Sequence, residues 1–487
     1  MLMHLLKKFD PMKTSIKNSC LGFALIGFLF SACVGTTEIN KTKMATLPEK
    51  FSGSTDTSNV ATINWRKYFT DPVLIELIDT ALNNNLDLLM ATQRIAMAQA
   101  NVRLAKGLAF PSVSAFGSAD QQKYGFYTMN AAGNRGANIY QDQTVPSNLN
   151  NFTFGLQSSW EVDFWSKLKN TKKAAVAQYL SSIEGRKWTV TNLVSEIATN
   201  YYDLLALDNE LDIIQEAIQL QDSALSLVSI QKQAGVVNEL AVQQFKAQVL
   251  SSKKKGIDVQ QKISEAESRL NFILGRYPQP IARNKSAFEH LIPTQIKVGI
   301  PTDLLHNRPD VKQAEYDLEA SKANLKVAKS SFYPSLNISG GVSMEAFKTS
   351  LLFSPESFAF SVLGSLAAPV INRSALKAQY KTANAAQIEA MYNYQKIIMG
   401  SYVEVYNEMV NLKSVEKALD FKKQEVNTLN QAVGSSALLF KTGRANYLEV
   451  LTIQGNVLQS KLELVETMKD QCSSVVSIYK SLGGGWK

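Results

Sequence analysis

The spacing of apolar residues along the chain changes between two periods. Long stretches repeat near every third or fourth residue, which is typical of helices, and four short stretches alternate residue by residue, which is typical of strands. Residues 73–108 show the first pattern and Pro111 follows, so we predict a helix that ends before this proline. Its apolar face consists of Leu74, Leu77, Ile78, Ala81 and Leu82.

The predicted helices that follow are unusually long. They span residues 166–230, 237–274, 374–437 and 447–482. The first of them lacks proline and would extend roughly 98 Å at 1.5 Å per residue. Segments 82–108 and 237–274 would reach a similar length if they stacked end to end. Heptad-like spacing predicts packing as in a coiled coil and involves Leu193, Ile197, Leu204, Leu211 and Ile218.

The alternating stretches predict four strands, at residues 112–119, 152–164, 336–344 and 358–368. In residues 152–164, Phe, Leu, Trp and Val occupy most of one side, while Thr, Gly, Gln, Ser, Glu and Asp occupy the other. Such alternation with terminal aromatic residues suits strands that face lipid on one side and a polar lumen on the other. A half-buried sheet of a soluble protein is the alternative, which the strand length and the secretion signal disfavour.

Two segments of the chain occur twice in the same order. Residues 100–113 resemble residues 323–336 at an offset of 223, and residues 235–242 resemble residues 443–450 at an offset of 208. We infer an ancient duplication of a unit of roughly 200 residues. The predicted organisation is a first repeat at 65–275, an inter-repeat segment at 276–298 and a second repeat at 299–487.

The N-terminus contains a secretion signal. The apolar run Leu21–Ala32 follows Lys13 and Lys17 and is too short to span a bilayer, which predicts a signal peptide at residues 1–32. Ser31 and Ala32 precede Cys33, a pattern that resembles a bacterial lipobox. We therefore expect lipid attachment at Cys33, with residues 33–64 as an acylated lead. The alternative is an ordinary signal peptide beside an unimportant cysteine.

Four strands per chain demand an assembly. An open sheet edge in lipid would leave backbone groups unpaired, at several kcal/mol each. Two chains would give eight strands with a largely filled interior, whereas three chains give twelve strands and leave a passage. The predicted fold class is a membrane α/β-barrel, in which a homotrimer forms a 12-stranded β-barrel continued by a long α-helical coiled tunnel.

Composition and charge give little support to other functions. The net charge of +9 falls to a modest excess after removal of the signal peptide, so nucleic acid is not an expected partner. His290 and His306 lack neighbours at metal spacing, and we expect no metal site, no cofactor and no enzymatic activity. Gly483–Gly485 predicts a helix end rather than a phosphate loop, and Lys253–Lys255 predicts a solvated helix face.

Several spaced motifs resemble a known family. They are residues 155–169, 299–310, 333–336, 447–451 and 479–486. These stretches resemble the outer-membrane factors, or TolC-like channels, in particular the lipoprotein branch of multidrug efflux. The resemblance implies a passive gated conduit that spans the outer membrane of a Gram-negative bacterium, contacts its lipid and extends into the periplasm. Its implied partners are a periplasmic adaptor (membrane-fusion) protein and an inner-membrane RND-type transporter, and its implied cargo is small molecules or drugs.

The resemblance also indicates a channel constriction. Glu449 lies six residues beyond Gly443 and matches a family constriction carboxylate, so three copies would form an acidic ring that favours cations. The corresponding residue of the first repeat is Ala241, and Thr452 occupies another position that is acidic in the family. The alternative for Glu449 is an exposed helix carboxylate. Alternatives for the whole chain are a channel for protein secretion or metal-ion export, or a structural helical lipoprotein without a pore.

Overall fold

The fold is taken from a computed structural model, which describes residues 48, 51, 60–140, 143–284, 288, 298–371 and 373–487. Cys33, the predicted signal peptide and nearly all of the predicted acylated lead lie outside the described residues, as does His290.

The predicted long helices and the four predicted strands occur in the predicted order, together with elements that were not predicted. The helices are α1 (Pro72–Asn84), α2 (Leu86–Gly107), α3 (Met129–Gly136), α4 (Lys167–Gln233), α5 (Glu239–Ile273), α6 (Pro309–Ser330), α7 (Ser374–Lys441) and α8 (Tyr447–Ser481). The strands are β1 (Ser112–Gln122), β2 (Asn138–Tyr140), β3 (Gln143–Thr144), β4 (Leu149–Val162), β5 (Ser335–Ala346) and β6 (Phe358–Ala367). Four-residue helical turns lie at Trp65–Tyr68 and Leu304–Asn307. Within the described ranges, none of the helices is long and apolar enough to cross a bilayer.

The two longest helices run uninterrupted over 67 and 68 residues. Each reverses into its partner through a similar turn, because Gly235 and Gly443 both have a φ of +74°, a conformation that glycine adopts without strain. Asn238 caps α5 by accepting a hydrogen bond from the Ala241 N–H, and Asn446 caps α8 by accepting one from the Leu448 N–H. The two repeats therefore build equivalent helical hairpins, which confirms the predicted duplication of the fold.

The prediction of one helix over residues 73–108 is wrong. The segment forms α1 and α2, which are separated at Asn85. The Asn85 side chain accepts a hydrogen bond from the Leu88 N–H and caps α2, while its own N–H donates to the Ala81 carbonyl and ends α1. The apolar period continues across this break, so periodicity alone did not show it.

The loop between the first two predicted strands is also more structured than expected. It holds α3 and the short hairpin of β2 and β3. These elements are polar and short, and therefore carry no clear periodicity.

A core of aromatic and aliphatic side chains joins the start of the first repeat to the end of the second. Tyr68 stacks on Tyr479 with ring centroids 3.9 Å apart, and the Tyr479 hydroxyl donates to the Ile63 carbonyl at 2.7 Å. The Tyr201 hydroxyl donates to Asp71 at 2.7 Å, where both side chains are buried. The phenol and carboxylate satisfy each other, which removes the desolvation penalty of leaving either polar group alone.

Shorter helices stack end to end beside the long ones. Asn85 Nδ2 donates to the carbonyl of Ile273 at 2.8 Å, which joins α5 to α2. Arg308 Nη1 donates to the carbonyl of Ser481 at 2.6 Å, which joins α8 to α6. Asn85 and Arg308 are 223 residues apart, so this sequence offset relates equivalent positions. The predicted end-to-end stacking is confirmed.

A glycine allows close approach at each junction. Gly275 has a φ of +70°, and a Cβ there would lie 2.5 Å from the Asn84 carbonyl oxygen. Gly483 has a φ of +89°, and a Cβ there would lie 2.7 Å from the Asn307 carbonyl oxygen. Larger residues would therefore separate the stacked helices.

We predict that Gly275→Ala and Gly483→Ala each destabilise the protein more than Gly443→Ala does. All three variants force alanine to a positive φ, at roughly 1–2 kcal/mol, but only the junction variants add crowding, at roughly 1–3 kcal/mol. No atom lies within 4 Å of a Cβ at Gly443, which makes it the matched control. Thermal unfolding midpoints of the detergent-solubilised protein measure the difference, and equal shifts in all three variants would contradict the role of the junctions.

Candidate functional site

The main sheet has one apolar and one polar face. Its strand order is β1-β4-β5-β6 with all neighbours antiparallel. In the central register Leu156 pairs with Ala115 and Val342, whereas Gln157 pairs with Ser114 and Gly341. Because successive side chains point to opposite faces, all four strands contribute an apolar side and a predominantly polar side. The predicted alternation is confirmed over the whole sheet.

The polar face is concave. It borders a recess of about 390 Å³ whose lining is rich in serine and glycine. Gly155 lies on this face, where any Cβ would overlap the Val342 carbonyl oxygen, so only glycine allows β4 and β5 to approach there. Small polar residues leave open space along the inner side of the curved sheet, as the wall of an aqueous passage requires.

The apolar face ends in aromatic residues at the helical end of the sheet. The Trp160 indole N–H donates to the Ala109 carbonyl at 3.2 Å, and that of Trp165 donates to the Pro334 carbonyl at 2.7 Å. Trp165 also stacks on Tyr333 with centroids 4.7 Å apart. Tryptophan and tyrosine of this kind mark the boundary between lipid and water, because their rings are apolar and their polar atoms need a partner.

Among the described residues, the outer edges of β1 and β6 have no strand paired to them. These two strands have similar lengths, 11 residues in β1 and 10 in β6, and run in opposite directions. The apolar side chains of β6 are largely exposed, with Phe360 at 76% and Val362 at 79%. A single chain therefore presents two complementary sheet edges and an uncovered apolar surface.

Arg308 ties four helices together where α8 meets α6. Besides the Ser481 carbonyl it contacts Asp310 at 2.7 Å and Glu404 of α7 at 2.7 Å, and it lies over the ring of Trp188 of α4. Only 3% of the residue is exposed. Removing one partner of such a buried charge typically destabilises a protein by roughly 3–5 kcal/mol. Sequence reasoning included Arg308 in a family motif but assigned it no role.

The hairpin turns lie at the opposite end of the long helices from the sheet. A small apolar cluster connects the two hairpins there, with Ala241 and Phe245 of the first packed against Phe440, Tyr447 and Leu451 of the second. Ala241 is fully buried. The first repeat therefore needs a small apolar residue at the position equivalent to Glu449. A carboxylate there would be buried without water to solvate its charge.

Glu449 is exposed in the first turn of α8, at this end of the hairpins. Its carboxylate forms no ion pair with the part of the chain that the structure describes. Glu239, in the first turn of α5, is instead paired with Lys232, whose hydrogen bond lowers the pKa of the Glu239 carboxyl. Thr452 is exposed and its hydroxyl donates to the Leu448 carbonyl.

Apart from Gly483, the other residues singled out in the sequence take no part in the contacts described so far. His306 and Lys253–Lys255 are exposed, and α8 ends before Gly483 as predicted. Cys472 is a free cysteine with 3% exposure, and burial raises the pKa of its thiol to about 12. The thiol therefore remains protonated at neutral pH and behaves as a small apolar side chain.

Comparison with known proteins now decides the family. The sequence model described as "Outer membrane efflux protein" matches residues 77–276 and 300–484. The chain belongs to the outer membrane efflux protein family. Two matched segments in one chain agree with the duplicated hairpins. Membership in this family confirms the predicted role as an outer-membrane channel component of an efflux system.

Relatives within the outer membrane efflux protein family match almost end to end. The probable outer membrane lipoprotein SilC of Salmonella typhimurium is 25% identical over 464 residues, covering 94% of this chain and 97% of its own. The pyoverdine export outer membrane protein OpmQ of Pseudomonas putida is 28% identical, with coverages of 87% and 88%. A crystal structure of CusC, named a cation efflux system protein, is 26% identical with a TM-score of 0.79, covering 90% of this chain and 97% of CusC. The predicted fold class is confirmed.

We predict opposite tolerance for lysine at adjacent positions of β4. Leu156→Lys places a charge on the lipid face and should destabilise the assembled protein by roughly 2–4 kcal/mol, whereas Gln157→Lys faces the lumen and should be tolerated. The fraction of assembled oligomer in outer-membrane extracts, measured by electrophoresis without heating, reports the difference. Equal loss from both variants would contradict the assignment of the two faces.

Proposed function

We propose that three copies of this chain form a passive, gated conduit through which an inner-membrane pump expels small molecules across the outer membrane. The observation that carries this proposal is the curved four-stranded sheet with an exposed apolar face, a polar concave face and two unpaired edges. The long hairpins would continue the passage into the periplasm. The chain contributes the wall and the gate, and its partners contribute energy and selection of cargo.

The sheet edges support closure by several copies. Since β1 and β6 run in opposite directions, β6 of one copy can pair antiparallel with β1 of the next. The pairing between copies is then of the same antiparallel kind as the pairing within each chain. Eight strands would leave an interior largely filled by side chains, and twelve would leave an aqueous lumen. Closure also satisfies every edge N–H and C=O in a medium without water.

The helices support the same assembly. Within one chain α2 and α5 contact α4, and α7 lies at the far side against α6 and α8, so α2, α5 and α7 are the outer helices of the wall. Each carries exposed apolar residues at helical spacing. They are Leu86, Met90, Met97 and Leu104 on α2, Leu240, Leu250 and Ile257 on α5, and Tyr392, Met399, Val403, Tyr406 and Val410 on α7. Apolar stripes on both outer sides of the wall suit contact between neighbouring copies.

Glu449 supplies the proposed constriction. Its position at the free end of the hairpins, its exposure and its lack of an ion pair among the described residues suit a ring of three carboxylates at the periplasmic mouth. Such a ring attracts cations at the narrowest point. Ala241 is buried and Thr452 is neutral, so a single ring forms.

Cys33 supplies the proposed lipid attachment. It follows the predicted signal peptide directly, and the relative SilC is named a probable outer membrane lipoprotein. Barrel closure would anchor the assembly in the membrane without the acyl chain.

The proposed partners are a periplasmic adaptor protein and an inner-membrane RND-type transporter. Drugs and other small organic molecules are the proposed cargo. Cation export is the second candidate, because CusC is named a cation efflux system protein and resembles this chain over nearly its full length.

Planar-bilayer recording of the purified oligomer tests the conduit and its constriction together. The wild-type protein should conduct. In a salt gradient, Glu449→Gln should shift the reversal potential in the direction of lower cation selectivity, because the ring loses its charge. Glu449→Asp retains the charge and serves as the control. Absence of any conductance would contradict the conduit, and an unchanged reversal potential in Glu449→Gln would contradict the ring alone.

Fatty-acid labelling tests Cys33. We expect Cys33→Ser to abolish incorporation of labelled palmitate while the oligomer still assembles, since closure of the barrel does not involve the acyl chain. Wild-type protein that incorporates no label would refute the lipid attachment, and loss of the oligomer in Cys33→Ser would refute the independence of assembly.

A further inference from the structure

Exposed basic residues concentrate where the helices meet the sheet. At this level α2 and α6 end, and α4 and α7 begin. The residues are Arg103, Lys106, Lys169, Lys172, Lys173, Lys326, Lys329, Lys377 and Lys381, and we call them the basic collar. All of them lie within seven residues of the sheet-side end of their helix, which corresponds to about 10 Å.

Near the sheet, these four helices carry no acidic residue that could balance the charge of the collar. The sequence has no Asp or Glu in residues 88–107, 167–183, 320–330 or 374–388. Two carboxylates shortly before α4, one near the end of β4 and one in the turn that follows it, are already engaged. Glu161 pairs with Lys167, which is not a member of the collar, and Asp163 accepts hydrogen bonds from the N–H groups of Leu168 and Lys169.

The collar residues of each helix include pairs three or four positions apart, and α4 adds the adjacent pair Lys172 and Lys173. Arg103 and Lys106 share one side of α2, and Lys377 and Lys381 share one side of α7. Lysines at this spacing are neighbours on the helix surface and repel each other. Each helix therefore presents a concentrated positive face rather than dispersed charge.

Some of these lysines oppose the preference of the local structure. Helix N-termini carry partial positive charge and favour acidic residues. At the start of α4 the Asp163 carboxylate meets this preference by accepting from the first N–H groups. The first turn of α7 has no acidic residue, and Lys377 lies near this end instead. A local preference that the sequence contradicts at the start of α7 points to a negatively charged partner.

The aromatic residues locate that partner. Trp160, Trp165 and Tyr333 lie at the same end of the sheet and mark the boundary of the hydrocarbon. The headgroup layer beyond the hydrocarbon is several ångströms thick on each side of a bilayer, so the collar begins at headgroup depth. Long lysine side chains reach further towards this layer.

We propose that the basic collar binds the headgroups of anionic phospholipids in the periplasmic leaflet of the outer membrane. The proposal rests on the proposed function only in that the strands cross this membrane with the helices on the periplasmic side. The basic collar binds the phosphate and the net negative charge of the lipid headgroup. The aromatic residues hold the sheet at the boundary of the hydrocarbon, which places the collar at headgroup depth. The binding sets the height of the barrel in the bilayer.

Quenching of tryptophan fluorescence by brominated lipids tests the proposal. The purified oligomer is reconstituted in vesicles that contain brominated phosphatidylglycerol or brominated phosphatidylcholine, and the relative association constant is measured from the quenching. The wild-type protein should prefer phosphatidylglycerol by at least about fivefold, since each basic residue near an anionic surface contributes about that factor. The preference should decline as salt is added.

A quadruple variant provides the decisive comparison. Lys172→Gln, Lys173→Gln, Lys377→Gln and Lys381→Gln together should reduce the preference to near one. The matched control replaces four exposed lysines far along the helices and should retain the preference, and it consists of Lys246→Gln, Lys413→Gln, Lys417→Gln and Lys423→Gln.

Two results would overturn the proposal. The first is a wild-type protein without preference, or a quadruple variant that keeps it. The second is a quadruple variant that changes the reversal potential in bilayer recordings without changing lipid preference, which would place the lysines in the lumen. Both outcomes leave conductance intact, whereas failure of the proposed function would abolish it.

Discussion

The architecture depends on two junctions at which one helix ends against the beginning of another. A continuous helix of more than sixty residues needs a partner of equal length, and each repeat assembles that partner from two pieces. The pieces can meet only because the first ends in a positive-φ glycine without a side chain, Gly275 or Gly483, and because the second begins with a residue that donates to the last carbonyls of the first. Asn85 does this as a neutral amide, whereas Arg308 does it as a buried charge held by Asp310 and Glu404.

The junctions explain how a polar passage can continue smoothly from strands to helices. At the base of the sheet each strand is covalently continuous with a helix of the wall, so the curvature of the sheet is passed to the helices. The core around Tyr68, Tyr201 and Tyr479 then locks the first repeat against the end of the second. Beyond this core, the hairpin ends are held by a much smaller apolar cluster around Phe245 and can therefore open more easily than the middle of the wall.

Much of this fold could be predicted because its signals are long-range repetitions of simple patterns. Sustained alternation identified the four strands and their faces. The offsets of 223 and 208, found in other segments, also relate Asn85 to Arg308 and Gly275 to Gly483 in the structure. The break at Asn85 could not be predicted, since a capping asparagine leaves the apolar period unchanged. The role of Arg308 could not be predicted either, because its partners lie on three other helices that are distant in sequence. The exposure of Glu449 and the burial of Ala241 likewise depend on how the two hairpins pack.

The contrast between Ala241 and Glu449 has a consequence for symmetry. Two repeats in each of three copies would form a ring of six hairpins that looks sixfold from its backbone. The buried methyl group in one hairpin and the free carboxylate in the next reduce this ring to true threefold symmetry at its rim. A partner assembled from six identical subunits would therefore meet two chemically distinct sites in alternation, whereas a partner with three subunits would meet one kind of site only.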